Sequence, residues 1–137
     1  MTYTVFTNGC FDILHVGHVE LFKYCKDLSQ GGRVIVGLNS DDSVKKLKGE
    51  SRPINKEKYR KIILESIKYI DEVVIFNEET PEALLSKVKP DILVKGGDYT
   101  SEQIIGKQYA DKVVIFPFID GHSTTRLIEK TKNIGDR

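Results

Sequence analysis

Residues Tyr3–His18 read YTVFTNGCFDILHVGH, a stretch typical of a strand, a loop and the start of a helix. β-branched and aromatic residues from Tyr3 to Thr7 predict the strand, and helical spacing begins near Val16. The segment between them would therefore lie at the carboxyl end of the strand. Ligands of open α/β sheets bind at that end, so the stretch predicts both the fold class and the place of the site.

Four further runs of β-branched residues follow and alternate with longer segments of helical character. The predicted strands are Arg33–Leu38, Glu72–Phe76, Asp91–Val94 and Lys112–Phe116. Runs such as VIVGL and EVVIF are continuously apolar, which is typical of parallel strands covered by helices on both faces. Helical spacing predicts one apolar helix face made of Tyr59, Ile62, Ile63, Ile67 and Ile70. Together these patterns predict an α/β fold, a three-layer, Rossmann-like, doubly wound sheet of five parallel strands.

The composition is that of one ordinary globular domain covering residues 1–137. The chain has 21 Lys and Arg against 20 Asp and Glu, with 39% hydrophobic residues. A chain of this length forms a core without disulfides, so we expect Cys10 and Cys25 to be free thiols. A net charge of +1 argues against a binder of nucleic acid or lipid surfaces. The sequence has no long apolar run and no signal-peptide pattern, so we expect a cytoplasmic protein.

Two of the three histidines, His15 and His18, fall within four residues of each other. This spacing places both on one side of a first helical turn, and Gly17 allows close approach to the backbone. Imidazole donors beside a helix N-terminus predict a site for phosphate oxygens. Two alternatives stay open. The histidines could simply cap or pack locally, or they could bind zinc together with Cys10 and Asp12.

A basic run follows the second predicted strand. Eight cationic residues fall within 17 positions: Lys45, Lys46, Lys48, Arg52, Lys56, Lys58, Arg60 and Lys61. Most members of such a run form a solvated face. Lys48 precedes Gly49 in a segment with the character of a mobile loop, and could close over a bound phosphate. Arg60 lies off the predicted apolar face and could make a bidentate phosphate contact.

Two glycine-containing segments follow later strands. Lys95-Gly96-Gly97-Asp98 comes after the fourth, and paired glycines there allow a ligand to approach the backbone, although a simple turn is the alternative. Asp120-Gly121-His122-Ser123-Thr124-Thr125 leads into the last helix, where hydroxyl groups could hold phosphate or merely cap. All these features belong to one end of one sheet.

The pattern Gly9-x-Phe11-Asp12-x-x-His15-x-Gly17-His18, together with Gly121-x-Ser123-Thr124-Thr125, resembles the HxGH nucleotidyltransferases, the superfamily of cytidylyltransferases and adenylyltransferases. Over almost the whole chain the similarity is greatest to the adenylyltransferase domain of the bifunctional heptose-phosphate enzymes, and we expect a stand-alone nucleotidyl-transfer enzyme without their sugar-kinase domain. Glycerol-3-phosphate cytidylyltransferase is the next nearest. It carries an arginine where this chain has Phe118, which argues mildly against the cytidylyl alternative.

The resemblance implies a single nucleotidyltransferase domain. It would transfer AMP from ATP to a sugar 1-phosphate of the D-glycero-D-manno-heptose type in carbohydrate or lipopolysaccharide biosynthesis. The alternative is CTP with glycerol 3-phosphate, giving CDP-glycerol, and a nucleotide-binding sensor without catalysis is a third possibility. The resemblance also implies Mg²⁺ as cofactor and a homodimer. The implied catalytic residues are His15, His18 and Lys48. The implied nucleotide-binding residues are Asn8, Gly9, Cys10, Phe11, Asp12, Gly17, Arg60, Lys95, Gly97, Asp98, Ser123, Thr124 and Thr125.

Overall fold

The computed structural model describes residues 1–97 and 104–117. Its five strands are β1 (Thr4–Gly9), β2 (Arg33–Asn39), β3 (Glu72–Phe76), β4 (Ile92–Gly96) and β5 (Lys112–Phe116). Its helices are α1 (Val16–Ser29), α2 (Asp41–Lys48), α3 (Glu57–Glu65) and α4 (Glu82–Val88), with a short 3-10 helix at Lys107–Tyr109.

All five strands are parallel and lie in the order β3-β2-β1-β4-β5. The chain winds outward from β1 to β3 and returns to place β4 on the other side of β1. The strand order therefore reverses between β1 and β4, which makes their carboxyl ends the expected ligand site. The predicted five-stranded, doubly wound α/β sheet is confirmed. Three strands are longer than predicted and extend further at their carboxyl ends, so that Asn8, Gly9, Asn39, Lys95 and Gly96 are strand residues.

Helices cover both faces of the sheet. On one face, Phe22 and Cys25 of α1 and Leu64 of α3 pack with Val34 and Val36 of β2. On the other face, Leu85, Leu93 and Ile104 form a second core with Phe6 and Ile35. Burial on both sides explains why these strands are apolar at nearly every position.

The predicted apolar face of α3 is wrong in part. Tyr59, Ile62 and Ile63 are exposed, Ile62 by 57%, whereas Arg60 and Leu64 face the core. A helix turns by about 100° per residue, which places Ile62 almost opposite Arg60. Polar contacts of Arg60 fix the helix in this rotation, as described below. The two later members of the predicted face, Ile67 and Ile70, lie beyond the end of α3, are partly buried and pack against the core.

Within the described part of the chain, α1 is the longest helix, with 14 residues. None of the helices found there combines the length and the apolar character needed to cross a membrane.

Candidate functional site

A cleft of about 600 Å³ opens at the carboxyl ends of the strands. This volume is within the range of small-molecule sites. Nine of the predicted site residues line it: Asn8, Gly9, Cys10, Phe11, Asp12, His15, His18, Lys48 and Lys95. They come from β1 and the loop after it, from α1 and α2, and from β4. Parallel strands bring residues far apart in sequence to one edge, as the sequence analysis expected.

The two histidines cap the helix that they begin. His15 is the N-cap of α1, and its Nδ1 accepts the backbone N–H of Gly17 at 3.1 Å. The backbone N–H of His15 donates in turn to Nδ1 of His18 at 3.3 Å. The two rings are stacked, with centroids 3.8 Å apart, and the rings of His18 and Phe11 form a T-shaped contact with centroids 5.3 Å apart. The capping alternative is therefore correct as local structure, and it fixes both rings at the mouth of the cleft.

This capping also determines which nitrogen carries the hydrogen. A neutral imidazole whose Nδ1 accepts a hydrogen bond holds its hydrogen on Nε2. His18 is only 7% exposed, and burial, helped by the nearby His15 and Lys48, lowers its pKa from 6.5 to about 3. His18 is therefore neutral at physiological pH and has an N–H donor without a positive charge.

Two lysine side chains, Lys48 and Lys95, line the cleft together with Arg52. Lys48 is exposed and is the last residue of α2, so the prediction that it lies in a loop is wrong, although Gly49 directly after it adopts a φ of 103°. Burial lowers the pKa of Lys95, and the neighbouring Lys48 lowers it further. Burial raises the pKa of the Cys10 thiol despite four cations around it, so Cys10 is a neutral free thiol.

Asp12 has a structural task that the sequence analysis did not foresee. Its carboxylate is 2% exposed and accepts hydrogen bonds from Arg52 Nε at 3.0 Å and from the backbone N–H groups of Ile54 and Asn55 at 2.8 Å. Its backbone carbonyl accepts the side-chain amide of Asn55 at 2.9 Å. Asp12 thus links the segment after α2, through Arg52, Ile54 and Asn55, to the loop between β1 and α1. These contacts occupy the carboxylate of a residue that the resemblance implies is nucleotide-binding.

Arg60 is likewise committed to the protein rather than placed on the cleft wall. It is 1% exposed, and each of its three guanidinium nitrogens has a partner. Nε donates to the carbonyl of Asn55, Nη1 to the carbonyls of Cys10 and Asn39, and Nη2 to Asp41 Oδ1, all at 2.7–2.8 Å. In place of the predicted phosphate contact, Arg60 joins the ends of β1 and β2 to the starts of α2 and α3.

The remaining predicted residues divide into two groups. The backbone N–H of Gly97 donates to the carbonyl of Phe116 at 2.9 Å, and its φ of 121° suits glycine. Gly17 is buried in the first turn of α1. Asp98, Ser123, Thr124 and Thr125 lie outside the described residues.

About half of the cleft wall lies outside the predicted site, although the sequence analysis named Arg52 in the basic run and Gly96 among the paired glycines. The additional lining residues are Leu21, Asn39, Leu47, Arg52, Glu79, Thr80, Pro81, Gly96, Ile104 and Ile105. The rule that located Asn8 would have found three of them, because Asn39 ends β2 and Glu79 and Thr80 follow β3.

The loop after β3 is held in place from α2. Ser40 Oγ donates to Asn77 Oδ1 at 2.6 Å, and Ser43 Oγ donates to the carbonyl of Glu78 at 2.9 Å. These contacts place Glu79 as an acidic group on the cleft wall, at the β3 side of the sheet.

Zinc, the other alternative, finds no support in the geometry. Among residues 1–97 and 104–117, no group of three or more His, Cys, Asp or Glu side chains is placed to hold a metal ion. The carboxylate of Asp12 already accepts hydrogen bonds from Arg52 and from two backbone N–H groups.

Known proteins agree with the predicted resemblance. The cytidylyltransferase-like family matches residues 6–132. The chain is 52% identical to the bifunctional protein HldE of Helicobacter hepaticus over 91% of its length, and 54% identical to that of Aliarcobacter butzleri over 92%. In each case it spans 26% of the relative.

A similar solved structure is the lipopolysaccharide core biosynthesis protein of Thermoplasma volcanium. It matches with a TM-score of 0.69 and 27% identity, over 87% of this chain and 98% of that one. Family match, fold and cleft agree, and the chain belongs to the cytidylyltransferase-like family of nucleotidyltransferases.

Proposed function

We propose that this protein transfers AMP from ATP to a sugar 1-phosphate of the D-glycero-D-manno-heptose type, releasing pyrophosphate and a nucleotide-activated sugar. The observation that carries the proposal is the pair of self-capping histidines at the edge of a cleft that also holds Lys48 and Lys95. The resemblance to heptose-phosphate adenylyltransferase domains supports this choice of substrates. The similarity to a lipopolysaccharide core biosynthesis protein agrees with it.

The proposed reaction is a direct in-line displacement. An acceptor phosphate oxygen attacks the α-phosphorus of ATP, forming the new O–P bond. The bond from that phosphorus to the bridging oxygen breaks, and the electron pair leaves with pyrophosphate. Such chemistry needs positioning and charge neutralisation rather than an enzyme nucleophile.

His18 would donate its Nε2–H to phosphate oxygens as charge builds up on them. The backbone N–H groups of His15 and Gly17 are already bound by the two imidazoles, so they do not meet the phosphate themselves. The imidazoles instead extend the positive end of the helix outward, since each accepts an N–H at Nδ1 and has a donor at Nε2. Lys48, exposed at the end of α2, would add charge from the rim of the cleft.

Mg²⁺ fits this site as a partner of the nucleotide. When bound, it neutralises phosphate charge and orients the triphosphate. Of the two carboxylates on the described cleft wall, Asp12 is occupied by Arg52 and backbone groups, and Glu79 lies at the β3 side, so phosphate oxygens would supply most of the ligands.

The two substrates would occupy opposite sides of the cleft. The nucleotide is expected at the reversal point between β1 and β4, where Gly96, Ile104 and Ile105 form a wall. Glu79 and Thr80 follow β3, two strand spacings or about 10 Å from β1. A carboxylate there repels a triphosphate and accepts hydrogen bonds from sugar hydroxyls. We therefore propose that the acceptor lies on the β3 side.

Pyrophosphate release tests the proposal. The purified chain is incubated with Mg²⁺, crossing ATP and CTP with heptose 1-phosphate and glycerol 3-phosphate. Turnover with ATP and heptose 1-phosphate is expected, whereas turnover only with CTP and glycerol 3-phosphate would replace it with the cytidylyl alternative. The proposal includes a homodimer in the cytoplasm, and light scattering measures its mass.

The role of His18 is tested in the same assay. His18→Ala should lower kcat by about a hundredfold to a thousandfold, the usual effect of removing one transition-state donor. Lys23→Ala, an exposed change on the same helix, is the matched control. Near-normal turnover by a folded His18→Ala protein would contradict the assignment.

A further inference from the structure

Arg60, which is buried, and Arg52, which is partly buried, both lie near the cleft, and they differ in how many of their guanidinium nitrogens have hydrogen-bond partners. In Arg60 each nitrogen has a hydrogen-bond partner. The side chain of Arg52 is 11% exposed, and its Nε is bound to Asp12. Its Nη2 is fully buried and has no hydrogen-bond partner among residues 1–97 and 104–117. A buried charged donor without a partner is costly. Because the side chain also lines the cleft, an anionic ligand bound against the part of the guanidinium that faces the cleft would offset this cost by neutralising the charge.

The surroundings hold Arg52 in this position. Its backbone N–H donates to the carbonyl of Gly49 at 3.2 Å, and the two residues after Pro53 are bound through their N–H groups to Asp12. Within the guanidinium group, only Nε donates a hydrogen bond to Asp12, at 3.0 Å. The chain is therefore fixed on both sides of Arg52, and the fixed carboxylate orients a group that lines the cleft.

The local charge favours a phosphate group as the ligand. Arg52 lines the same cleft as Lys48, Lys95 and the neutral His18, and Arg52, Lys48 and Lys95 all act electrostatically on Cys10. A guanidinium binds phosphate oxygens through charge-assisted, directional hydrogen bonds. We propose that Arg52 is a phosphate-binding residue of this cleft and that Asp12 positions it. The proposed function enters only in naming the substrate that brings this phosphate group, which is either the nucleoside triphosphate or the phosphorylated acceptor.

Calorimetric titration of Arg52→Gln tests this inference without requiring turnover. The probes are inorganic pyrophosphate, ATP with Mg²⁺, and heptose 1-phosphate. We expect at least one to bind about tenfold to a hundredfold more weakly than to the wild type, the usual loss for a hydrogen bond to a charged group. Weaker binding of pyrophosphate and ATP would identify the triphosphate as the source, and weaker binding of heptose 1-phosphate alone would identify the acceptor.

Two further variants separate binding from structure. Arg33→Gln removes an exposed arginine paired with Glu72 and should bind all probes as the wild type does. Arg52→Lys keeps the charge without the planar fork and should recover part of the affinity, and it replaces Arg52→Gln if that protein fails to fold.

The inference is overturned if Arg52→Gln only lowers the melting temperature while every probe binds as it does to the wild type, or if the wild type binds no probe. A wild type that shows no turnover with ATP and heptose 1-phosphate, but whose pyrophosphate binding depends on Arg52, would refute the proposed function and leave this inference standing.

Discussion

Replacing Arg60 should destabilise the whole domain rather than weaken substrate binding alone. Arg60→Ala removes four hydrogen bonds, leaving the carbonyls of Cys10, Asn39 and Asn55 without this donor, while the carboxylate of Asp41 keeps only the backbone N–H of Glu57. Breaking a buried charge network of this kind costs about 3–5 kcal/mol. A domain of this size is stable by about 5–15 kcal/mol, and each kcal/mol shifts the melting temperature by roughly 3 °C. We therefore expect a fall of roughly 10–15 °C.

Thermal and urea unfolding followed by circular dichroism measure this loss. Arg60→Lys retains the charge but cannot reach acceptors in three directions, so a loss of about 2 kcal/mol is expected. Lys58→Ala, an exposed change on α3, is the control and should cost less than about 0.5 kcal/mol. The reasoning is refuted if Arg60→Ala unfolds within about 1 kcal/mol of the wild type, since water would then satisfy the carbonyls equally well.

Three further predictions concern stability. Burial lowers the pKa of His18 to about 3 in the folded protein, whereas its pKa in the unfolded chain is 6.5. The free energy of unfolding that neutral His18 contributes is therefore fully present above pH 6.5 and is lost as the pH falls towards 3. Between pH 6.5 and 3 the free energy of unfolding of the wild type should fall by up to about 1.4 kcal/mol per pH unit more than that of His18→Gln. Equal slopes of the free energy of unfolding against pH for the two proteins would contradict this. In urea unfolding, Leu64→Ala should lower the free energy of unfolding by about 2–5 kcal/mol but Ile62→Ala by less than about 1 kcal/mol, because of these two residues only Leu64 is buried. Similar losses for the two variants would mean that Ile62 faces the core, as the helical spacing predicted. A Cβ on Gly32 would overlap the carbonyl of Tyr3, so Gly32→Ala should lower the free energy of unfolding by about 2 kcal/mol or more, and an unchanged melting temperature would disprove the overlap.

The sequence was sufficient to predict the sheet and the place of the site. Strands buried on both faces must be apolar at almost every position, so runs such as Arg33–Leu38 are recognisable without tertiary information. The site follows from topology, because the carboxyl ends of parallel strands converge at one edge. Asn8, His15 and Lys95 were found in this way, and Asn39 and Glu79 could have been.

The roles of Asp12 and Arg60 could not be predicted in the same way. Asp12 contacts residues about 40 positions away, and Arg60 contacts a carbonyl 50 positions away, so no local pattern distinguishes a buried clamp from a ligand-binding side chain. The same contacts explain the error on α3. Helical spacing correctly predicted a helix, but the partners of Arg60 determine its rotation, and they lie on other elements.

The structure also gives a physical reason for histidine rather than lysine at the start of α1. Position 18 is 7% exposed and lies within reach of Lys48, so a permanent positive charge there would lose its hydration and meet a like charge. Neutral His18 avoids this cost and still presents an N–H donor, while its Nδ1 accepts the backbone N–H of His15. Lysine has no acceptor, so it could not cap the helix as well. The cleft therefore combines the neutral N–H donor of His18, held by the helix, with an exposed, hydrated charge on Lys48.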